Sequence, residues 1–391
     1  MRDIGDLRQR QALPLRAKVL MSQNRIREWY NHWNGDVYVS FSGGKDSTVL
    51  AHLVHDIYPD VPLVFSNTGL EYPEIQSFAR KMGAEFVRPK MSFSEVISKY
   101  GYPIISKETS EAIRWARKLK KTSQMMGGVE VDTTEENGTD GAKKAKGKWV
   151  NWRRKSLAGV GEFSKENKSI FNKEKWLPLC QETQFFISNE CCGVMKKHPL
   201  DQYANKSKRY PIIGTLTEES RLREQKWLQN GCNAFDAKKK TSQPMSFWLE
   251  QDVLQYIKDE GLEIASVYGD IVTVDADGME YENLLAPCGK LKCTGCSRTG
   301  CIFCGFGVHL EKGESRFQRL AKTHPKQYEY CMMGGQWVDN PKYDPSAPDY
   351  DGEWKNWNPK KIWVPSKQGL GMKKVFDDCN AIYGKGFIKY E

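Results

Sequence analysis

The sequence predicts an α/β protein built on a doubly wound, mainly parallel sheet, with a C-terminal cysteine-rich unit that binds metal. Three observations predict this fold. Short β-rich runs alternate with segments of helical periodicity, a glycine loop joins the first strand to the next helix, and five cysteines lie between Cys288 and Cys304. Alternating strands and helices are typical of parallel sheets, which bind ligands at the carboxyl ends of their strands.

The order of the elements follows from periodicity and from turn residues. An opening helix is expected over 13–34, where apolar residues recur at helical spacing until Gly35-Asp36 interrupts them. β-branched and aromatic runs predict strands at 37–41, 62–66, 85–87 and 210–214. Helices are expected after them at 48–57, 73–82 and 218–228.

Size and composition exclude several classes of protein. The chain has 391 residues, of which 39% are hydrophobic, enough for one large domain and a smaller unit. No run of 18 apolar residues occurs, and the N-terminus lacks the layout of a secretion signal. We therefore expect no membrane partner and a cytoplasmic location. The formal net charge of +10 favours anionic partners such as nucleotides or nucleic acid.

Changes in composition divide the chain into three expected segments. Residues 1–275 are expected to form the nucleotide-binding domain, and 276–335 a cysteine-rich metal or iron-sulfur segment. Residues 336–391 are expected to form an extended C-terminal arm, because Pro, Asp, Tyr and Trp are frequent there.

A basic insertion is expected at about 114–155. It holds twelve Lys or Arg against five Asp or Glu, together with Trp115, Trp149 and Trp152. Cations follow a phosphate backbone and aromatic faces stack on unpaired bases, so the insertion is a candidate contact for nucleic acid. A mobile, solvated loop explains the same residues equally well.

The glycine loop carries the strongest local chemistry. Directly after the first strand stand Ser42, Gly43, Gly44, Lys45, Asp46 and Ser47. Two glycines allow backbone N–H groups to close on phosphate oxygens, and the following helix adds its positive N-terminus. The spacing is not that of the kinase-type P-loop, which has four residues between its first glycine and its Gly-Lys-Ser/Thr end. The loop predicts a nucleotide phosphate site.

This loop is the signature of the PP-loop superfamily, and further motifs make the chain similar to the phosphoadenosine phosphosulfate (PAPS) reductase family. These motifs are Ser66-Asn67-Thr68-Gly69 with Pro73-Glu74, the pair Cys191-Cys192 before Lys196-Lys197, Ile213-Gly214-Thr215 before Glu219-Ser220-Arg221, and Pro244–Trp248. The resemblance implies an adenine nucleotide α-hydrolase-like fold and a pocket for ATP or PAPS. By resemblance, the nucleotide-binding residues are Ser42–Ser47, Asn67, Thr68, Gly69 and Gly214, and the candidate catalytic residues are Lys45, Asp46, Lys196 and Arg221.

The cysteines predict a metal site, because two C-x-x-C pairs, Cys293/Cys296 and Cys301/Cys304, stand close together. Four thiolates suit zinc or an iron-sulfur cluster alike. Adenosine phosphosulfate (APS) reductases hold a 4Fe-4S cluster on a Cys-Cys pair and a later C-x-x-C, which implies Cys191, Cys192, Cys301 and Cys304 here. The stretch 298–304 is also similar to the DNA phosphorothioation sulfurtransferases. The pairs Cys191/Cys192 and Cys293/Cys296 remain alternatives for the second half of the site.

Together these features predict an ATP-dependent adenylation and sulfur transfer with an iron-sulfur cluster, and Mg²⁺ is a further candidate cofactor. A sulfur donor or a reductant protein would be its partner. Two alternatives remain. One is a PAPS or APS sulfonucleotide reductase, although the chain lacks the Glu-Cys-Gly-x-His thiol motif of those enzymes. The other is a non-catalytic module that binds zinc and nucleic acid.

Overall fold

A computed structural model of the chain describes residues 3–117, 151–275, 289–346 and 357–391, and the backbone of two strands between 123 and 132. Its helices are α1 (Ile4–Gln11), α2 (Leu15–His32), α3 (Lys45–His55), α4 (Pro73–Lys81), α5 (Phe93–Tyr100), α6 (Lys107–Ala116), α7 (described part 151–158), α8 (Leu177–Glu182), α9 (Glu190–Cys192), α10 (His198–Ser207), α11 (Arg221–Asn230), α12 (Glu250–Asp259), α13 (Arg316–Thr323), α14 (Pro325–Met332) and α15 (Met372–Tyr383).

The strands are short, as is usual for α/β proteins. They are β1 (Val37–Phe41), β2 (Leu63–Ser66), β3 (Glu85–Val87), β4 (Ile104–Ile105), β5 (Ser123–Met126), β6 (Val129–Asp132), β7 (Tyr210–Ile212), β8 (Asn233–Ala234), β9 (Thr241–Ser242), β10 (Ile271–Val274), β11 (Lys290–Cys293), β12 (Gly305–Phe306), β13 (Gln336–Asp339) and β14 (Lys361–Val364).

The chain forms two compact units, each made of two stretches of sequence. The first contains Met1–Lys90 and Met195–Cys301, and the second contains Met91–Val194 and Ile302–Glu391. This division differs from the expected segments 1–275, 276–335 and 336–391. One reason is that β12 pairs in parallel with β4, which joins residues far apart in sequence within the second unit.

A six-stranded sheet organises the first unit. Its order is β3-β2-β1-β7-β9-β8, and every neighbouring pair is parallel except β8 with β9. The predicted α/β class and mainly parallel sheet are therefore confirmed. The chain proceeds from β1 through β2 to β3 on one side and returns to place β7 on the other side of β1. Such a reversal leaves a crevice at the carboxyl ends of the two central strands, where α/β sheets bind ligands.

Burial explains why the predicted positions of β1 and α3 are close to the observed ones. Val37, Val39 and Phe41 of β1 are at most 2% exposed. On α3, the apolar residues Val49, Leu50, Leu53 and Val54 are fully buried. Continuous apolar strands of this kind are typical of parallel sheets that helices cover. The helix begins at Lys45, inside the glycine loop and three residues earlier than its periodicity predicts.

In the second unit, helices surround short strand pairs. β4 pairs with β12, and β13 pairs antiparallel with β14, where Val338 lies opposite Ile362. The apolar core includes Phe185, Phe317 and Phe376, all fully buried. The cysteine-rich stretch does not form a unit of its own among the described residues, because β11 belongs to the first unit and β12 to the second. Cys288 lies outside the described residues.

The C-terminal residues differ from the extended arm expected over 336–391. In the described part of that stretch, β13 and β14 form a hairpin, and α15 buries Val375, Phe376 and Cys379 completely. Trp357, Ile362 and Val364 form a buried cluster of their own. Trp357 and Tyr390 are thus buried in the second unit, whereas Trp337 is exposed. Within the described residues, no helix combines the length and apolar character needed to cross a membrane.

Candidate functional site

A charged cleft lies at the carboxyl ends of β1 and β7 in the first unit. Its volume is about 660 Å³. The glycine loop after β1, the turn after β7 and the start of α12 contribute to its wall. The residues that line it are Ser42, Gly44, Lys45, Asp46, Leu216, Glu218, Glu219, Leu249, Glu250, Gln251, Tyr268, Lys290, Ser297, Arg298 and Thr299.

The glycine loop is held closely against its neighbours. Gly43 has φ +69°, and a Cβ at this position would lie 2.8 Å from the Cγ2 of Ile75. The hydroxyl of Ser47 lies 3.0 Å from that of Ser42 and donates to the carbonyl of Gly44 at 2.8 Å. This geometry requires glycine at position 43 and brings the N-terminus of α3 to the cleft, as a phosphate loop does.

Lys45 supplies a buried positive charge to the cleft. Its side chain is only 7% exposed and forms an ion pair with Glu250, the first residue of α12. The ammonium also donates to the carbonyl of Ser297 at 2.8 Å. Because Glu250 is half-exposed, this pair can open towards a phosphate without moving the core.

Asp46 is the second charged group at the start of α3. Its Oδ1 is buried and accepts no hydrogen bond from any residue that the structure describes. Burial raises the pKa of the Asp46 carboxyl above its usual range, although Lys45 and Arg298 act in the opposite direction. A carboxyl with a raised pKa in a cleft is a candidate for proton transfer.

Replacing Asp46 by asparagine should raise the melting temperature at pH 7 to 8 and leave it unchanged at about pH 3. The folded protein holds the Asp46 proton more tightly than the unfolded chain does, because its folded-state pKa is raised. Stability is therefore lost as the pH rises through this raised pKa, and asparagine removes that loss. Melting curves across this pH range test the prediction, and an equal change at both ends would contradict it.

Two arginines share one carboxylate at the edge of the cleft. Glu219 forms ion pairs with both Arg223 and Arg298. Arg298 is 65% exposed and lines the cleft. The predicted catalytic residue Arg221 is placed elsewhere, because it is the first residue of α11, is exposed and does not line the cleft. Arg298 therefore provides a cation of the kind that Arg221 was expected to provide, and Arg223 is joined to the cleft only through Glu219.

A smaller cavity of about 150 Å³ lies beside the cleft, at the ends of β1 and β2. Phe65, Ile75 and Leu200 give it apolar walls, and the predicted catalytic residue Lys196 lines it. The Nζ of Lys196 lies 3.7 Å from the Oε1 of Glu71, a buried carboxylate. Lys196 thus lines this smaller cavity and does not line the charged cleft.

The predicted residues Asn67, Thr68 and Gly69 lie in the loop after β2. They stand in sequence between Ser66 and Glu71, which line the small cavity. Glu71 accepts from the backbone N–H of Thr68 at 3.0 Å and from its hydroxyl at 2.8 Å. The side chain of Asn67 accepts from the backbone N–H of Gly69 at 3.1 Å. These bonds fix the conformation of the loop after β2. The loop therefore holds Ser66 and Glu71 in place at the small cavity.

Gly214, predicted to bind the nucleotide, allows a close approach between β7 and α3. A Cβ on this residue would lie 2.9 Å from the carbonyl oxygen of Asp46. Only glycine lets the segment after β7 pass the start of α3 at this distance. Gly214 therefore shapes the crevice between the two central strands.

The predicted metal ligands are distributed over both units. Cys191, Cys192 and Cys304 belong to the second unit, whereas Cys293, Cys296 and Cys301 belong to the first. Cys192 and Cys304 are close enough to interact electrostatically. Burial raises the pKa of the Cys304 thiol, and a hydrogen bond from the backbone N–H of Phe306 acts in the opposite direction. Among the described residues, no three His, Cys, Asp or Glu side chains form a group that could hold a metal ion.

The basic insertion can be followed only at its two ends, and most of it, including Trp149, lies outside the described residues. At these ends, three arginines are held by groups within the second unit. Arg117 donates to carbonyl oxygens of α8 and of the turn after it, and Arg153 pairs with Glu108 and Glu111. Arg154 is fully buried. These arginines are not available to a phosphate backbone, so a nucleic-acid contact through the described residues is not supported.

Sequence reasoning missed the residues that meet the glycine loop from distant parts of the chain. Glu250, Tyr268 and Thr299 all line the cleft. The hydroxyl of Tyr268 accepts from the backbone N–H of Lys45 at 3.3 Å and lies 2.6 Å from the hydroxyl of Thr299. Thr299 belongs to the stretch 298–304, which the cysteine spacing marks as a metal-binding segment. The spacing does not indicate that the same stretch also lines the cleft.

Comparison with known proteins supports the expected family. Residues 36–136 and 160–305 match the phosphoadenosine phosphosulfate reductase domain. The chain is 25% identical to the adenosine 5'-phosphosulfate reductase of Staphylococcus haemolyticus over 202 residues, which cover 49% of this chain and 74% of that protein. It is 28% identical to the phosphoadenosine 5'-phosphosulfate reductase of Photorhabdus laumondii over 116 residues, 30% of this chain and 43% of that protein. An uncharacterized protein of Methanocaldococcus jannaschii is 29% identical over 112 residues, 27% of this chain and 26% of that protein.

Proposed function

The chain belongs to the phosphoadenosine phosphosulfate reductase domain family, and we propose that it is an enzyme of sulfur chemistry that binds an adenine nucleotide in the first unit. The observation that carries the proposal is the cleft at the ends of β1 and β7, which the glycine loop lines together with the cations Lys45, Lys290 and Arg298. The apolar cavity beside it suits the base and ribose, and the charged cleft suits the phosphates and the group attached to them.

The residues of the cleft would act mainly by electrostatics. The N–H groups at the start of α3 and the ammonium of Lys45 would hold phosphate oxygens, and Arg298 would neutralise the charge that develops on the leaving group. Positioning and electrostatic stabilisation of this kind are the main contributions that proteins make to phosphoryl transfer. A sulfonate has a similar cluster of anionic oxygens.

The first candidate reaction is sulfonucleotide chemistry. It is supported by the two relatives named as APS and PAPS reductases. In both nucleotides a sulfonate is attached to the α-phosphate, so the charged cleft would hold the group that reacts.

The second candidate reaction is the ATP-dependent transfer that the sequence predicts, and the burial of two thiols favours it. Cys331 and Cys379 follow the family domain and are the last two cysteines of the chain, and both are fully buried in the second unit. Burial raises the pKa of both thiols, which makes them poor nucleophiles. They are therefore unsuited to attack a sulfonate. In the ATP-dependent reaction, an acceptor oxygen would attack the α-phosphorus and pyrophosphate would leave. Sulfide-level sulfur from a donor would then attack the adenylated acceptor, and AMP would leave with the acceptor oxygen.

One experiment compares the two candidates. The protein is incubated separately with labelled PAPS, APS and ATP, each with and without Mg²⁺ and a thiol reductant, and the products are separated. Release of sulfite supports sulfonucleotide reduction, and release of AMP with pyrophosphate supports the ATP-dependent reaction. Absence of binding and of turnover with all three nucleotides would contradict the proposed function.

We also propose that Cys191, Cys192, Cys301 and Cys304 bind a 4Fe-4S cluster, with zinc as the alternative. The cysteine spacing and the closeness of Cys192 to Cys304 support this proposal, although the described residues do not form a complete site. A bound cluster would supply a redox-active group, and no step of either reaction is assigned to it.

Protein purified without oxygen should be brown, absorb at ~400 nm and contain iron and sulfide. Cys304→Ala should lose most of this absorption because it removes a thiolate ligand. Cys232→Ala is the control, since Cys232 is a buried thiol that belongs to neither C-x-x-C pair. Colourless wild-type protein with stoichiometric zinc would instead support the zinc alternative.

A further inference from the structure

The segment Ser297–Thr299 lies against the glycine loop in the first unit. The ammonium of Lys45 donates to the carbonyl of Ser297 at 2.8 Å, and the hydroxyl of Thr299 lies 2.6 Å from that of Tyr268. A Cβ on Gly44 would lie 3.2 Å from the Tyr268 hydroxyl and 3.6 Å from the Thr299 hydroxyl. A segment remote in sequence thus approaches the loop closely enough to share a ligand with it.

Thr299 also has a particular place between the two cavities. The charged cleft and the apolar cavity have two lining residues in common, Ser42 and Thr299. A nucleotide with its base in the apolar cavity and its distal groups in the charged cleft must therefore pass between these two residues. The part of the ligand that does so is the phosphate next to the ribose, the α-phosphate.

The hydrogen bonds around Tyr268 allow the Thr299 hydroxyl to donate into the cleft. The backbone N–H of Lys45 can only donate, so the Tyr268 oxygen accepts from it at 3.3 Å. Burial raises the pKa of Tyr268 to about 12, so its phenol keeps its proton at neutral pH. That proton can be donated to the oxygen of Thr299, 2.6 Å away, and the proposal below requires this direction of the bond. The Thr299 hydrogen then remains for an acceptor in the cleft.

We propose that Thr299 donates a hydrogen bond to the α-phosphate of the bound nucleotide and that Tyr268 orients Thr299 for this contact. Arg298, next to it in the chain and exposed in the cleft, would neutralise the anionic group beyond the α-phosphate. The inference rests on the proposed function, because it needs an adenine nucleotide in the first unit. It holds for ATP and for sulfonucleotides, since both have an α-phosphate.

The test compares adenosine with AMP by titration calorimetry on the full chain. In the wild type, AMP should bind more tightly than adenosine. Thr299→Val keeps the shape of the side chain and removes its hydroxyl. We expect it to weaken AMP binding by roughly 10- to 100-fold, the range for a hydrogen bond to a charged group, and to leave adenosine binding unchanged. Thr299→Ser should bind AMP almost as the wild type does.

Two further variants separate binding from orientation. Tyr268→Phe should weaken AMP binding less than Thr299→Val does, because it removes only the group that orients the threonine. Thr294→Val is the matched control. Its hydroxyl accepts from the backbone N–H of Asp270 at 2.9 Å, and Thr294 lines neither cavity. It should bind AMP and adenosine as the wild type does.

The outcomes are distinguishable. If the wild type binds AMP more tightly than adenosine and Thr299→Val keeps that full preference, the inference is wrong and the proposed function stands. If Thr299→Val weakens both ligands equally, Thr299 shapes the cavity and makes no phosphate contact, which also overturns the inference. If the wild type binds no adenine nucleotide at all, the proposed function fails and the inference fails with it.

Discussion

Replacing Lys45 by methionine is expected to lower nucleotide turnover by about 100- to 1000-fold, the usual effect of removing one charged or hydrogen-bonding group from a reacting anion. The ammonium of Lys45 is buried at the glycine loop and is held by Glu250 and by the carbonyl of Ser297. Methionine has a similar length and no charge, so it retains the packing and removes the electrostatic contribution. Steady-state rates with the nucleotide that the wild type converts measure the effect.

Lys18→Met is the matched control for this prediction. Lys18 is also a buried lysine of the first unit and also pairs with a carboxylate of α12, since it lies 2.6 Å from Asp252. It does not line the cleft. We expect this variant to lose stability and to keep its turnover at a temperature where it stays folded. Equal turnover by Lys45→Met and wild type would show that Lys45 does not contact the reacting phosphate.

Replacing Arg117 by methionine is expected to destabilise the protein by roughly 3–5 kcal/mol, because it leaves the part-buried carbonyl groups of Cys180 and Phe185 without the donor that the structure shows. The guanidinium donates to the carbonyls of Cys180, Leu179 and Phe185 at 2.9, 2.7 and 2.6 Å. It also lies 4.1 Å from the ring centre of Trp357. The Arg117 side chain thus donates hydrogen bonds to carbonyl groups at the end of α8 and packs against Trp357.

Thermal unfolding measures this effect, and a fall in melting temperature on the order of 10 °C corresponds to it. Arg114→Met is the matched control, because Arg114 lies one turn earlier on α6 and pairs with Glu190 where both side chains are about one-third exposed. A pair of that kind contributes about 1 kcal/mol or less. If both variants melted at the same temperature, the carbonyl contacts of Arg117 would not carry the stability assigned to them.

The order of elements around β1 could be predicted from sequence because the signals there are local. Alternating apolar strands and helical periodicity depend on neighbouring residues, and a glycine loop between them is recognisable by its composition. The beginning of α3 was the exception. Lys45 and Asp46 have no apolar periodicity, yet the helix begins with them because its first N–H groups meet the cleft.

Charge and composition predicted the basic insertion and the C-terminal arm less well, because neither depends on whether a side chain is buried. The arginines at the ends of the basic insertion suggested a contact with nucleic acid, whereas Arg117 and Arg153 bond carbonyls and carboxylates within the second unit. Likewise, Trp357 and Trp363 suggested an exposed arm, but Trp357 is buried and Trp363 lies in β14. Partners distant in sequence decide whether such a side chain faces water or the interior.

By itself, then, the sequence determined the fold class, the position of the glycine loop between strand and helix, and the residue types around it, since each of these depends on a short stretch of chain. Only the tertiary structure decided which cations reach the cleft. Tyr268 is 223 residues from Lys45, and Glu250 is 205 residues from it. Arg298 lines the cleft and meets Arg223 at Glu219, whereas Arg221 and Arg223 do not line it. Contacts over such separations arise from the packing of strands and helices, and no local pattern encodes them.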